Sequence, residues 1–190
     1  MTRMNYRWVC LVGVFVAALC VGLPRATADD KSDKANSITP QDQEFVNQAG
    51  VINKAEIELG KIAQSKASNS DVKQFAKKMV EDHGKAGKEL EQLVRKENGQ
   101  MPKELDQMHK DLKDKLSKLS GSEFDKQYME AMAKGHEKAV SLFEKESKDS
   151  EQSEIGKWAG QTLATLQQHH QEAMRVAKEV GANAEGAEQK

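Results

Sequence analysis

The chain has 190 residues, and its 29 basic and 30 acidic side chains give a formal net charge of −1. The opposite charges alternate along every segment, which argues against a basic stripe for nucleic-acid binding. Both cysteines, Cys10 and Cys20, lie in the N-terminal apolar segment, so the rest of the chain has neither a disulfide framework nor a thiol nucleophile. Its stability must come from a packed core.

Residues 1–28 have the three parts of a secretory signal peptide. Two arginines precede an apolar run at residues 8–23, and Ala26, Thr27 and Ala28 offer a small-residue cleavage site. The apolar run is shorter than the roughly 20 residues that cross a bilayer. We therefore predict cleavage after Ala28, with an uncleaved anchor as the alternative. Cleavage leaves 26 basic and 30 acidic residues, a net charge of −4, and no membrane span.

Helical periodicity begins after a short polar segment, residues 29–38, which is predicted to be a flexible leader. Thr39 and Pro40 form a helix start, and a first helix is expected to about residue 67. A second helix follows the SNSD break and ends near Asn98 and Gly99. Pro102 is predicted to open a shorter third helix that extends to residue 119.

A fourth helix carries apolar residues from Phe124 to Phe143, and a fifth carries them from Ile155 to Val180. No segment has the alternating pattern of a strand. The sequence therefore predicts an all-α domain over residues 39–180, followed by a disordered tail at 181–190. Its expected form is a ferritin-like, up-down four-helix bundle, in which a short crossover helix joins two antiparallel hairpins.

The four-three spacing of apolar residues brings one polar residue of each long helix onto or beside the buried face. These are Glu56, His83, His136 and His169. A buried carboxylate needs a partner, and imidazole with carboxylate suits Zn, Fe, Mn or Cu. The four residues are candidate ligands of a single transition-metal ion in the bundle core.

Height along the bundle limits which of these residues can meet. If the first hairpin turns near residue 68.5, Glu56 lies opposite residue 81, about 3 Å from the level of His83. If the second turns near residue 149.5, His136 and His169 differ in level by roughly 9 Å. The alternative is thus a buried Glu56–His83 pair in a metal-free envelope module, with the other two histidines satisfied by backbone, water or Tyr128.

Other chemistries fit the pattern less well. The diiron site of ferritins needs Glu-x-x-His on two helices, and none of the three histidines has a Glu three residues before it. Met79 and Met132 each precede a candidate histidine by four residues and could add thioether ligands for Cu(I), although Met at this spacing commonly fills a core. His109 and His170 are predicted to be exposed.

Common catalytic motifs are absent: the sequence has no Gly-rich phosphate loop, no G-x-S-x-G and no H-E-x-x-H. A binding or structural role is therefore favoured over catalysis, and a redox enzyme that uses the His/Glu site is a third hypothesis. A homo-oligomer and an envelope protein partner are both compatible with the sequence.

Four stretches together resemble a bacterial family of exported, ferritin-like domains of unknown function, often labelled "predicted outer membrane protein". They are VKQFAKKMVEDH at 72–83, LSGSEFDKQYM at 119–129, GHEKAVSLFEKES at 135–147 and LATLQQHHQEA at 163–173. The resemblance covers about residues 40–178. It implies a helical bundle with a crossover helix in the periplasm or cell envelope, and it places the family's recurring polar residues on Glu56, Asp82, His83, His136 and His169.

Overall fold

The computed structural model describes residues 37–183. The predicted signal peptide, residues 29–36 of the leader and residues 184–190 of the tail lie outside this range. Between residues 37 and 183 the chain forms five α-helices and no strand, which confirms the all-α prediction. They are α1 (Pro40–Lys66), α2 (Ser70–Lys96), α3 (Gln107–Ser117), α4 (Gly121–Asp149) and α5 (Glu154–Glu179). No helix in this range is long and apolar enough to cross a bilayer.

The helix starts follow the local capping chemistry of the sequence. The side chains of Thr39, Asn69 and Ser153 accept backbone N–H groups from the first turns of α1, α2 and α5. These contacts satisfy donors that a helix start leaves free. Helix α4 begins differently, because Gly121 adopts a φ of +65°, which glycine tolerates without a steric penalty.

The third helix begins at Gln107, so the prediction that Pro102 opens it is wrong. Pro102 packs against Gly50 so closely that a Cβ atom on Gly50 would lie 2.6 Å from the proline ring. This contact lies in the non-helical connection between α2 and α3 and packs that connection against α1. Asp106 then caps α3 by accepting from the backbone N–H of His109 at 2.9 Å.

The four long helices form a helical bundle. Helix α1 packs along α2 and α4 along α5, and the two pairs meet through contacts of α1 with α4 and of α2 with α5. At one end, the carboxylate of Asp125 accepts from the backbone N–H groups of Ser68 and Asn69, at 3.1 and 2.9 Å. The start of α4 thereby fixes the connection between α1 and α2.

The core consists of two apolar clusters with a polar layer between them. On every long helix, the residues of this layer lie between the positions that supply the two clusters. The first cluster includes Leu59, Phe75, Met79, Tyr128, Met132 and Val176. The second includes Phe45, Leu90, Phe143, Trp158 and Leu166. The buried polar residues at the middle level are Asn53, Glu56, His83, His136 and His169.

Candidate metal centre

Three histidines from three helices meet in the middle of the bundle. His83 of α2, His136 of α4 and His169 of α5 are each at most 3 % exposed. Their ring centroids lie 5.4 to 5.7 Å apart, and one ring nitrogen from each lies within 4.8 Å of the other two. Three of the four predicted ligands are therefore neighbours in the fold.

Each imidazole is held from the outside by one hydrogen bond. The Nδ1 of His83 lies 2.7 Å from Asn53 Oδ1, and the Nδ1 of His136 lies 2.9 Å from the Met132 carbonyl oxygen. The Nε2 of His169 lies 2.8 Å from Asp82 Oδ2. Because carbonyl and carboxylate oxygens only accept hydrogen bonds, these three ring nitrogens carry the protons. The bonds therefore fix both the tautomer and the orientation of each ring.

The other nitrogen of each ring has no hydrogen-bond partner among the described residues. These atoms are His83 Nε2, His136 Nε2 and His169 Nδ1, and all three are buried. In the tautomers set from outside, each carries a lone pair. A metal-binding histidine typically donates its other N–H to a carboxylate or carbonyl, and this layer has that arrangement three times. Three nitrogens bound to one ion at ~2.1 Å lie roughly 3.4 Å apart, so modest ring rotations would close the set.

Burial keeps the imidazoles neutral at physiological pH. Desolvation lowers the pKa of His136 to about 4 and holds the pKa of His83 well below its ordinary value, and nearby imidazoles add to both effects. The pKa of His169 is also lowered by desolvation, although the hydrogen bond to Asp82 opposes that change. Neutral imidazole is the form that binds metals, so the site is ready for a cation without losing protons from its histidines.

Glu56, on α1, lies beside the histidines, but its distance to His136 is longer than a hydrogen bond. Its Oε1 is 4.0 Å from His136 Nδ1, and its buried Oε2 has no hydrogen-bond partner among the described residues. Desolvation raises the pKa of this carboxyl to about 8, so it is protonated at neutral pH. The hydroxyl of Tyr128, also buried and unpaired, interacts electrostatically with Glu56.

The Glu56–His83 pair proposed from helix level is not formed, because Asn53 occupies that position. Asn53 lies three residues earlier on α1, and reflection about the same turn places it opposite residue 84, within one residue of His83. Glu56 is therefore offset toward α4 and approaches His136 instead. Asn53 was missed because it lies outside the four-three series of α1, although its position beside that series was the available signal.

The difference in level between His136 and His169 along the bundle is smaller than predicted. Helix α4 continues to Asp149 and α5 begins at Glu154, so the hairpin is centred near residue 151.5. Reflection about that point brings His136 opposite residue 167, about 3 Å from the level of His169. The polar residues after position 147 had suggested an earlier helix end, and that error accounted for most of the 9 Å.

Asp82 is an orienting residue whose hydrogen bond to His169 could not be read from its own helix. Its signals in the sequence were its place directly before His83 and the family resemblance, which places a recurring polar residue there. His170 and His109, predicted to be exposed, are partly buried: His170 Nε2 is buried without a hydrogen-bond partner among the described residues, and the His109 side chain is 16 % exposed and hydrogen-bonded to Asp106. Neither contributes to the three converging nitrogens.

A small cavity adjoins the histidine layer. Its volume is about 20 Å³, and its lining includes Asn53, His83, Leu166 and His169. This volume is enough for a single water molecule. The layer therefore has room for one small exogenous ligand beside two of the three imidazoles.

The fold and this layer define an all-helical bundle with a buried trihistidine core. The chain belongs to the family described as a domain of unknown function, DUF4142, which matches residues 27–176. No curated protein matches the sequence of this chain. Two solved structures share the fold: a DUF305 fragment from Deinococcus radiodurans and a candidate secreted DUF305 protein from Streptomyces coelicolor.

Both structural similarities extend over most of the two molecules. The Deinococcus protein has a TM-score of 0.65 at 15 % identity, over 75 % of this chain and 99 % of its own. The Streptomyces protein has a TM-score of 0.63 at 12 % identity, over 78 % of this chain and 97 % of its own. At such low identity, the similarity establishes the helical fold alone.

Proposed function

We propose that this protein is an exported helical bundle that binds one transition-metal ion through His83, His136 and His169. The proposal depends mainly on three buried ring nitrogens, His83 Nε2, His136 Nε2 and His169 Nδ1, which lack hydrogen-bond partners among the described residues. The other nitrogen of each ring has one hydrogen bond. Leaving three converging acceptors unpaired in a low-dielectric core costs free energy. Coordination of a shared cation would satisfy all three together.

The ligand chemistry favours a late first-row ion. Three imidazoles with a nearby carboxyl suit Zn, Cu, Fe or Mn, and Cu(II) and Zn(II) bind nitrogen-rich sites more tightly than the earlier ions do. Glu56 is the nearest carboxyl and the proposed fourth ligand, which requires its proton to leave and its side chain to move toward the histidines. Met79 and Met132 are buried in the first apolar cluster, consistent with a packing role.

The proposed architecture is ferritin-like, with α3 as the crossover between two hairpins. The supporting contacts are those of α3 with both α1 and α4, which belong to different hairpins. Export is proposed from the N-terminal signal pattern of the sequence. The structural similarity to a candidate secreted protein is compatible with it.

Metal analysis of the protein purified from the periplasm without a histidine tag tests this function. We expect about one equivalent of bound metal and a higher melting temperature on adding Zn(II) or Cu(II) to the metal-free protein. His83→Ala, His136→Ala and His169→Ala should each abolish both effects. His109→Ala is the matched control, because it removes an imidazole outside the layer and should leave both effects intact.

A metal-free structural module is the competing outcome. Less than about a tenth of an equivalent of any metal, with no thermal shift on adding Zn(II), Cu(II) or Mn(II), would exclude the metal site. Equal metal binding by His109→Ala and by all three core variants would show that the metal binds elsewhere.

A further inference from the structure

A cleft of about 520 Å³ opens between α1 and α4, and the first two turns of α3 form its third wall. Glu56 is the one buried residue in its lining; the others, on the three helices, are half-buried or exposed. The cleft therefore extends from the surface toward the polar layer, ending at a hydrogen-bonding group. Its volume is within the range of sites for small organic molecules.

The walls of the cleft are largely apolar. Val51 and Ile52 on α1, Leu112 on α3 and Leu142 on α4 face it. Met108 at the rim is 60 % exposed, whereas the other large apolar side chains in residues 37–183 are buried or half-buried. An apolar ligand surface placed here would remove these side chains from water, which is the main source of affinity in such sites.

Two lysines and one aspartate are the charged residues at the mouth of the cleft. Lys134 and Lys138 lie one turn apart on α4 and line the cleft. Lys134 pairs with Glu130 at 2.6 Å, while Lys138 has no ion pair among the described residues. The acid on the opposite side, Asp106, is already hydrogen-bonded to the ring and the backbone of His109.

We infer that this cleft binds a small amphipathic monoanion, such as a single-chain carboxylate, with its apolar body between the three helices and its head group beside Lys138. The cleft shares Glu56 with the polar layer but is lined by none of its three histidines, and the inference does not require a bound metal. Apolar walls supply affinity and the free ammonium group selects the charge of the head. The occupant is a free small molecule, because the volume of about 520 Å³ lies within the range of small-molecule sites.

Calorimetric titration of the full-length mature protein tests this site. The probes are decanoate below its micelle concentration, 1-decanol, and decyltrimethylammonium. Decanoate should bind saturably with one site per chain, and should bind more tightly than the alcohol and the cation. Absence of saturable decanoate binding, or equal binding of all three probes, would overturn the inference.

Two variants identify the cleft as the binding site. Lys138→Glu should weaken decanoate binding by about fivefold, the size of one surface charge interaction, and leave decanol unchanged. Its matched control is Lys148→Glu, an exposed lysine of α4 outside the cleft, which should bind decanoate as the wild type does. Ala131→Phe fills the cleft and should weaken both probes, with the circular dichroism spectrum and melting temperature confirming that each variant folds.

Membrane association is the remaining competing outcome. If free decanoate does not bind but the protein sediments with phosphatidylglycerol vesicles, the surface recognises a bilayer rather than a free ligand, and the inference fails. Loss of decanoate binding in Lys148→Glu equal to the loss in Lys138→Glu would also reject it, because the attraction would then be nonspecific.

Discussion

Two groups of buried polar residues occupy this bundle, and they differ in how their atoms are partnered. At one end, the carboxylate of Asp42 accepts from the hydroxyls of Thr39 and Ser153, at 2.8 and 3.1 Å, and burial together with the neighbouring Asp42 raises the pKa of Glu146. This end cluster joins α1, α4 and α5. In the middle layer, each histidine has a hydrogen bond at one ring nitrogen, and its other ring nitrogen has no partner among the described residues.

The difference separates a structural role from a binding role. The end cluster links three helix termini and leaves only Glu146 Oε1 among its buried carboxyl oxygens without a hydrogen-bond partner in the described chain. The three neighbouring histidines of the middle layer each leave one ring nitrogen without a hydrogen-bond partner among the described residues. An unpaired buried polar atom costs about 1–3 kcal/mol, so apolar residues would serve stability better there. A bound ion that coordinates the three nitrogens would offset this free-energy cost.

Metal addition should have the largest effect and should act on the middle layer alone. At a free Zn(II) concentration of about 1,000 times Kd, the free energy of unfolding should rise by about 4 kcal/mol. Asp42→Ala should keep this gain and His169→Ala should lose it. Urea unfolding with and without Zn(II) measures both. A loss of the gain in Asp42→Ala would mean that the two groups are coupled.

Removing the end cluster's central acceptor should destabilise the metal-free protein. Asp42→Ala deprives the hydroxyls of Thr39 and Ser153 of their buried acceptor and should lower the free energy of unfolding by about 2–3 kcal/mol. The matched control is Asp149→Ala, whose carboxylate makes a mostly exposed ion pair with Lys145 and should change stability by less than about 0.5 kcal/mol. Similar effects of the two substitutions in urea unfolding would contradict a structural role for Asp42.

The sequence predicted the helices well because their signals are local. Thr39, Asn98 and Gly99 lie at helix ends that the capping rules identify, and apolar spacing alone brought His83, His136 and His169 to the interior. The predicted start of the third helix was wrong because Pro102 packs against Gly50. These two residues are far apart in the chain. A tertiary contact of this kind leaves no local pattern.

The partners within the site were less predictable than its members. Periodicity places a residue on a face, but its neighbour across a helix pair depends on where the hairpin turns. Two residues of error at the α4–α5 turn moved His136 four residues relative to His169. The hydrogen bonds from Asn53 and Asp82 depend on side-chain length and rotamer as well as level, so the residues that orient the rings could not be derived from spacing.

Replacing one core histidine by an apolar residue should have the opposite sign from Asp42→Ala. In metal-free protein, His136→Leu removes a buried unpaired nitrogen at nearly constant volume and should raise the free energy of unfolding by about 1 kcal/mol. The same substitution should abolish the response to Zn(II). Urea unfolding in the presence of a chelator measures the gain. A loss as large as that of Asp42→Ala would show that His136 is needed for the fold itself.

The pH dependence of stability should also distinguish the two groups. Burial raises the pKa of Glu146 to about 7, with the neighbouring Asp42 acting in the same direction, and raises the pKa of Glu56 to about 8. A carboxyl whose folded pKa is raised binds its proton more tightly in the native state. Its contribution is therefore complete below the unfolded value, near 4.5, and is lost as pH rises through the folded pKa.

Glutamine cannot ionise, so each substitution should remove one part of this loss. In metal-free protein, Glu146→Gln should match the wild type near pH 4.5 and become relatively more stable up to about pH 7. Glu56→Gln should continue to gain up to about pH 8. Urea unfolding at a series of pH values measures both curves. Curves parallel to the wild type would mean that these carboxyls ionise as freely in the fold as in the unfolded chain, and that the end cluster and the middle layer do not differ in proton affinity.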